Sequence, residues 1–157
     1  KVPWGKEEVL GVELVFVPYH LFRYQVRSQS EPGVAKGVGV IAVDALVGTP
    51  VVVQGEKIEP QTVRVNQEVV YGEQLDRERA AELVRKRAPE LLQRTMRGGR
   101  SSGHLDVEHL DSLHLPYWIG VYRRRGKVYY GVVIDGNRPD IAPGVLELIR
   151  TAETVKE

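Results

Sequence analysis

The sequence predicts an α+β fold: two similar antiparallel β-hairpin units with a central helix packed across the sheet and a short C-terminal helix. Three observations lead to this prediction. Runs of β-branched and aromatic residues, which favour strands, occur in both halves of the chain. One segment with apolar residues at helical spacing lies between them. A Pro-Tyr pair occurs early in the first strand of each half, at Pro18 and Pro116.

The first half of the chain is predicted to be rich in strands. Residues Glu13–Val26 favour one long strand, and the polar, turn-forming segment Ser28–Gly37 is typical of a loop. The β-branched run Val38–Val43 predicts the returning strand. Two further short strands are expected at Val51–Val53 and Thr62–Val65.

The helix is predicted at Asp76–Met96. Asp76 is a suitable N-cap because its carboxylate can accept a hydrogen bond from a free first-turn amide. Pro89 lacks a backbone donor, so it is expected to kink the helix or split it in two. The segment Arg100–Ser112 is polar and poorly periodic, and it reads as a connector.

The second half repeats the strand pattern. A second aromatic strand is predicted at Leu113–Tyr122, followed by a tight turn at Arg123–Lys127 and a returning strand at Val128–Ile134. Residues Pro143–Ala152 favour a short terminal helix, with proline near its first turn. The alternative architecture is a single larger sheet with the helix inserted between its halves.

The two strand regions are similar in sequence. VFVPYHLFRY in the first half matches LHLPYWIGVY in the second. The pattern predicts one compact domain, residues 1–157, built by internal duplication, with a first β unit at 1–70 and the helix plus a second β unit at 71–157. Chance similarity is the alternative. The matched pairs include Tyr19 with Tyr117, Tyr24 with Tyr122, and Asp44 with Asp135.

The aspartate that ends each returning strand has two interpretations. Asp44 and Asp135 are each followed by turn residues, and an aspartate carboxylate commonly accepts bonds from turn amides. A symmetric catalytic pair of carboxylates is the other possibility. The turn role explains each residue more simply, so this pair does not favour an enzyme.

The segment from Tyr24 to Gly48 resembles the PepSY pattern. In that family a strand pair ends in a Val-Asp-Ala-x-x-Gly turn, and a helix packs across the sheet. The resemblance implies a small, cystatin-like α+β module with a non-enzymatic binding or regulatory role, often outside the cytoplasm. The residues that carry it are Tyr24, Val26, Val43, Asp44, Ala45 and Gly48.

Composition excludes several classes of protein. The chain has no cysteine, which rules out disulfides and Cys-ligated metals. Its net charge is +1, which argues against a globally basic nucleic-acid binder. No apolar run is long enough for a membrane helix, and no secretory signal is visible. These features favour the cytoplasm. The chain begins at Lys1 without a Met, so an extracytoplasmic location stays open if the chain is trimmed or mature.

The second hairpin combines aromatic and basic residues between Tyr117 and Tyr130. Basic side chains beside exposed aromatics can hold phosphates and stack bases. The ordinary alternative is that a charged tip keeps a sheet edge soluble and that strand aromatics are core. The candidate partner-binding residues are Tyr117, Trp118, Tyr122, Arg123, Arg124, Arg125 and Lys127.

The segment His104–His114 holds three of the four histidines, with acidic residues among them. Imidazole and carboxylate ligands together suit a divalent metal. The candidate ligands are His104, Asp106 and His109, although their spacing matches no established metal signature. A solvated polar connector is the alternative interpretation.

The function predicted from these features is a non-enzymatic binding, interaction or regulatory module. Its exposed aromatic strands would contact a protein or a small molecule. A nucleic-acid-binding module using the basic hairpin is the second hypothesis, and a metal-binding protein is the third. Ser101, Ser102 and His104 are neighbours in sequence, but no nucleophile motif surrounds them, so catalysis is not favoured. No cofactor is expected apart from a divalent metal, and the oligomeric state is not predicted.

Overall fold

A computed structural model describes six segments of the chain. They are residues 7–28, 35–53, 62–65, 69–95, 103–132 and 144–149. Among these residues the protein is mostly antiparallel sheet, with 59% in strands and 23% in helices. The predicted α+β fold of two hairpin units around a central helix is therefore wrong. The physical reason is that the two long strands pair with each other, which merges both hairpins into one sheet.

Five strands form that sheet in the order β3-β2-β1-β4-β5. The longest two, β1 and β4, pair with each other along almost their whole length. The alternative of a single larger sheet, with the helix between its halves in sequence, describes this strand order. The strands are β1 (Glu8–Ser28), β2 (Ala35–Asp44), β3 (Pro50–Val53), β4 (Gly103–Arg124) and β5 (Lys127–Val132).

The returning strands flank opposite ends of the β1–β4 pair. Strand β2 pairs with the second half of β1, from Tyr19 to Arg27. Strand β5 pairs with the last part of β4, from Ile119 to Arg124. At the centre, Val17 lies opposite Leu115. The two halves of the chain thus contribute to one sheet, while the duplication itself stays a prediction.

Strand β4 begins well before its predicted start. Gly103–Ser112 was expected to lie in a polar connector, but it continues the strand. Its apolar residues Leu105 and Val107 alternate with polar ones and pack against a core cluster. Alternation in a half-buried strand therefore explains the polarity that suggested a connector. Conversely, Thr62–Val65, predicted as a strand, has no regular structure.

The helix α1 (Arg77–Thr95) lies close to its predicted range. Asp76 caps it as predicted, since its Oδ1 accepts a hydrogen bond from the Arg79 amide at 2.8 Å. Pro89 lies inside the helix without splitting it. A second helical segment, α2, covers residues 144–149. No helix among the described segments is long and apolar enough to cross a membrane.

The two helices cover different faces of the sheet. Helix α1 packs Ala80, Val84, Ala88 and Leu92 against a cluster that includes Phe22 and Ile41. On the opposite face, α2 packs against a second cluster around the centre of β1 and β4. That cluster contains Val15, Val17, Tyr19, Leu21, Ala42, Leu115, Tyr117, Ile119, Val145 and Ile149.

The turn after β2 is organised by one buried carboxylate. Asp44 is 1% exposed. Its Oδ1 accepts hydrogen bonds from the amides of Leu46, Val47 and Gly48 at 3.2, 2.6 and 3.0 Å. Its Oδ2 accepts one from the Thr49 amide at 2.8 Å. The predicted turn-stabilising role of Asp44 is confirmed, and Asp135 lies outside the described residues.

Candidate functional site

The helix α1 covers only one half of its sheet face, and the other half forms the candidate site. The strand register shows which residues belong to this site, because residues directly opposite each other in antiparallel strands share a face. Leu14 lies opposite Trp118, Val12 opposite Gly120, and Tyr122 opposite Tyr129. We call the surface formed by Val12, Leu14, Trp118, Tyr122 and Tyr129 the open face.

The open face is apolar and accessible to solvent. Val12 is 54% exposed, Trp118 46% and Tyr129 50%. None of its five side chains belongs to either core cluster of the described residues. Large aromatic residues exposed together on a rigid sheet are typical of a contact surface rather than of a core.

Gly120 lets the Tyr122 ring lie over the sheet. A Cβ atom on Gly120 would overlap the ring and hydroxyl of Tyr122, whereas one on Gly131 would make an ordinary contact with the ring at 3.5 Å. The tyrosine therefore covers the Gly120 position in place of a side chain there. This contact holds the ring in place and keeps the middle of the open face shallow.

Basic residues border the open face at the hairpin tip. Arg125 and Gly126 both have positive φ, 51° and 77°, as in the two-residue turns that suit the twist of a hairpin. Arg124 and Lys127 lie opposite each other next to this turn. Each is two residues from an open-face tyrosine, so alternation places both on the same side.

Two acidic residues of β1, Glu8 and Glu13, lie on the other side of the sheet. Glu8 is opposite Arg123 and forms an ion pair with it at 3.5 Å. Glu13 is opposite Ile119, which is part of the core cluster under α2. Both glutamates therefore lie away from the open face. The open face is thus aromatic, with the basic residues Arg124 and Lys127 at one border.

Not every predicted partner-binding residue lies on this face. Tyr117 is 3% exposed and its hydroxyl donates to the hydroxyl of Tyr19 at 3.0 Å. Burial, then the nearby Tyr117 hydroxyl, raises the pKa of Tyr19 far above its ordinary value. Tyr117 is therefore core. The structure places Trp118, Tyr122, Arg124 and Lys127 on the open face, Arg125 in the turn, and Arg123 on the opposite side.

The predicted metal ligands are not brought together in the part of the chain described here. Asp106 forms an ion pair with Arg27 at 2.9 Å. His109 contacts the ring of Phe22, on the face covered by α1, with ring centroids 5.4 Å apart. The side chain of His104 lies outside the described set. Within that set, no three histidine or acidic residues are arranged to hold a metal ion.

His109 instead belongs to a polar cluster around the buried His20, which sequence reasoning missed. His20 is 1% exposed and lies on β1, with its Nδ1 2.7 Å from the Ser112 hydroxyl. Its Nε2 lies 2.7 Å from the Leu75 carbonyl oxygen and 3.2 Å from the Glu73 carboxylate. The partners are 55 and 92 residues away in sequence, so no local pattern could have indicated them.

The Leu75 carbonyl sets the direction of one of these hydrogen bonds. Because its oxygen can only accept, His20 Nε2–H donates to it. The Ser112 hydroxyl lies within hydrogen-bond distance of both histidines, 2.7 Å from His20 Nδ1 and 3.0 Å from His109 Nε2. Burial, then the neighbouring His20 and Arg77, lowers the pKa of His109.

This cluster links β1, β4 and the segment before α1, and it is not arranged as a nucleophilic site. Ser112 has a histidine partner, as a nucleophile requires. Its backbone amide, however, donates to the Asp111 carboxylate at 2.8 Å, so that amide is not available to stabilise an oxyanion. The geometry supports a structural role in fixing the segment Glu73–Leu75 on the sheet.

Comparison with known proteins found no family model, curated protein or solved structure that matches this chain. The PepSY resemblance therefore stays a prediction, and the open face has to be interpreted from its own chemistry.

Proposed function

We propose that this protein is a non-enzymatic binding module that holds its partner against the open face. The observation that carries this proposal is the contrast within one sheet face: α1 covers one half, while Trp118 and Tyr129 stay about half exposed on the other. Burying such side chains against a partner is favourable by roughly 25 cal/mol per Å² of apolar surface.

A preformed, rigid surface supports this role. The open face lies on paired strands, and the Tyr122 ring is fixed over Gly120. Little side-chain or backbone entropy is lost when a partner docks on such a surface, which favours affinity. A catalytic role has less support, because the backbone amide of Ser112, the serine that both His20 and His109 contact, donates to Asp111 and is not available as an oxyanion donor.

Affinity capture from lysate of the source cell tests the proposal. The bait would be the wild-type chain and two variants, Trp118→Ser and Tyr129→Ser, with Leu148→Ser on α2 as the matched control. Leu148 is also an exposed apolar residue, at 44%, but it lies away from the open face. We expect a partner that the wild type and the control retain and both open-face variants lose.

Recovery of the same species by all four baits would overturn the proposal. Failure to recover any species whose binding depends on Trp118 and Tyr129 would also overturn it. Circular dichroism of each variant excludes misfolding as the cause of lost binding.

A further inference from the structure

We propose that the partner of the open face is a single-stranded nucleic acid, an inference that rests on the proposed function above. Its bases would stack on Trp118 and Tyr129, and its phosphates would lie near the basic hairpin tip. Stacking on aromatic side chains tolerates any base, because every base has a π-face.

Charged residues are distributed unequally between the two faces. Lys127 and Arg124 share the open face, whereas Glu8 and Glu13 lie on the other side. Arg123 also lies on that other side and forms an ion pair with Glu8. The exposed Lys127 therefore presents a positive charge at the border of the open face, although the whole chain carries only +1. A polyanion is the ligand that complements such a face.

The aromatic residues of the open face are spaced along the hairpin. Trp118 lies four residues from Tyr122, which corresponds to about 13 Å along a strand, and Tyr129 lies one strand further across. An extended chain of nucleotides can follow this line from Trp118 to Lys127. A paired duplex hides its base faces in the stack and cannot use the platform.

A membrane surface is a poorer match for the same charges. From Arg125 at the tip to Trp118 the hairpin spans about 23 Å. Interfacial segments are buried only ~5–10 Å into the headgroup region, so a hairpin that inserts by its tip would leave Trp118 outside, and the vesicle measurement below tests a hairpin that lies flat. An extended nucleic acid contacts the tip and the platform together.

Fluorescence anisotropy with labelled 12-nucleotide oligo(dT) and oligo(U) tests the inference, alongside a DNA duplex and phosphatidylserine vesicles. We expect both single strands to bind, with the difference between them indicating DNA or RNA as the preferred ligand. Trp118→Ala and Tyr129→Ala should each weaken binding about fivefold to hundredfold. Lys127→Ala should reduce the slope of log K against log salt by about 0.7.

Arg123→Ala is the matched control for charge, because it removes a basic side chain from the opposite side of the same hairpin. It should leave the affinity and the salt slope unchanged. Absence of salt-sensitive single-strand binding, or equal binding by wild type, Trp118→Ala and Lys127→Ala, would overturn the inference. Tighter binding to the duplex or to vesicles than to the single strands would also overturn it.

The two proposals fail separately. A protein captured from nuclease-treated lysate in a Trp118-dependent way, without oligonucleotide binding, would overturn the nucleic-acid inference and leave the binding module standing. Loss of both results would overturn both.

Discussion

The covered and open halves of one sheet face are built from the same strands, yet their surfaces differ. In the covered half, Phe22 lies opposite Ile41 and both are fully buried under α1. In the open half, Leu14 lies opposite Trp118, and the tryptophan is 46% exposed. Alternation and apolar content are similar in the two halves, so they do not decide which one becomes core.

The difference comes from how far the helix extends over the sheet. Helix α1 has 19 residues, or roughly 28 Å at 1.5 Å per residue. Strand β4 has 22 residues and spans about 70 Å at 3.3 Å per residue. One helix of this length cannot cover such a strand from end to end. A helix that is shorter than the strands beneath it can therefore leave an exposed apolar surface without any change in the strand pattern.

The largest expected effect separates core from surface. Phe22→Ala should lower the free energy of unfolding by about 3–5 kcal/mol, because it opens a cavity beneath α1. Trp118→Ala should lower it by only about 1 kcal/mol or less, since the side chain is half exposed. Urea denaturation followed by circular dichroism measures both. Equal losses would mean that the open half is packed as tightly as the covered half.

An intermediate effect is expected where glycine meets tyrosine. Gly39 and Gly120 lie beneath the rings of Tyr24 and Tyr122, one in each half, and a Cβ would overlap either ring. Tyr24 packs beside the cluster under α1, so Gly39→Ala should cost about 1–3 kcal/mol. Tyr122 belongs to neither core cluster, so displacing its ring loses less packing, and reduced entropy of the unfolded chain offsets about 0.4–1 kcal/mol. Gly120→Ala should therefore cost less.

Gly11 provides the control for the two glycine variants. A Cβ atom there meets no heavy atom within 4 Å. Gly11→Ala should be neutral or slightly stabilising in the same denaturation experiment. A larger loss of stability from Gly120→Ala than from Gly39→Ala would contradict the expectation that the covered half is packed more tightly than the open half.

The smallest effect concerns pH and the polar cluster in the covered half. The pKa of His109 is lowered from its ordinary value of 6.5, so the folded state disfavours its charged form. Its contribution to stability is complete above pH 6.5 and is lost as pH falls below that value. His109→Gln keeps a hydrogen-bonding group beside Ser112 but does not titrate.

Urea midpoints at about pH 7.5 and about pH 5 measure this contribution. The wild type should lose more stability than His109→Gln between the two values. Equal losses of stability in the wild type and in His109→Gln would show that folding does not lower the pKa of His109.

Much of the secondary structure could be predicted from local pattern. The cap at Asp76, the turn at Asp44 and the strand around Val38–Val43 each depend on residues within a few positions of one another. The fold class could not be predicted in this way. It depends on the pairing of β1 with β4, whose central partners Val17 and Leu115 are far apart in sequence.

The candidate site was only half predictable for the same reason. Sequence indicated that Tyr117–Tyr130 forms a hairpin with aromatic residues, but it could not assign each aromatic to a face. The bulges in the pairing of β1 with β4, near Leu10 and Leu110, change the phase of alternation and depend on tertiary contacts. His20 carried no local signal, because Ser112 and Leu75 approach it only after the sheet has formed.

The turn at Asp44 also has a consequence for the order of folding events. Its four hydrogen bonds close within five residues, so forming them costs little loop entropy. The β1–β4 pairing has to close a loop of at least 75 residues, from Ser28 to Gly103, and such non-local contacts form slowly. We therefore expect the β2–β3 corner to form early and the central strand pair to limit the folding rate. Asp44 would then help to form the first corner of the sheet, and the sheet would be complete only after β4 from the other half of the chain pairs with β1.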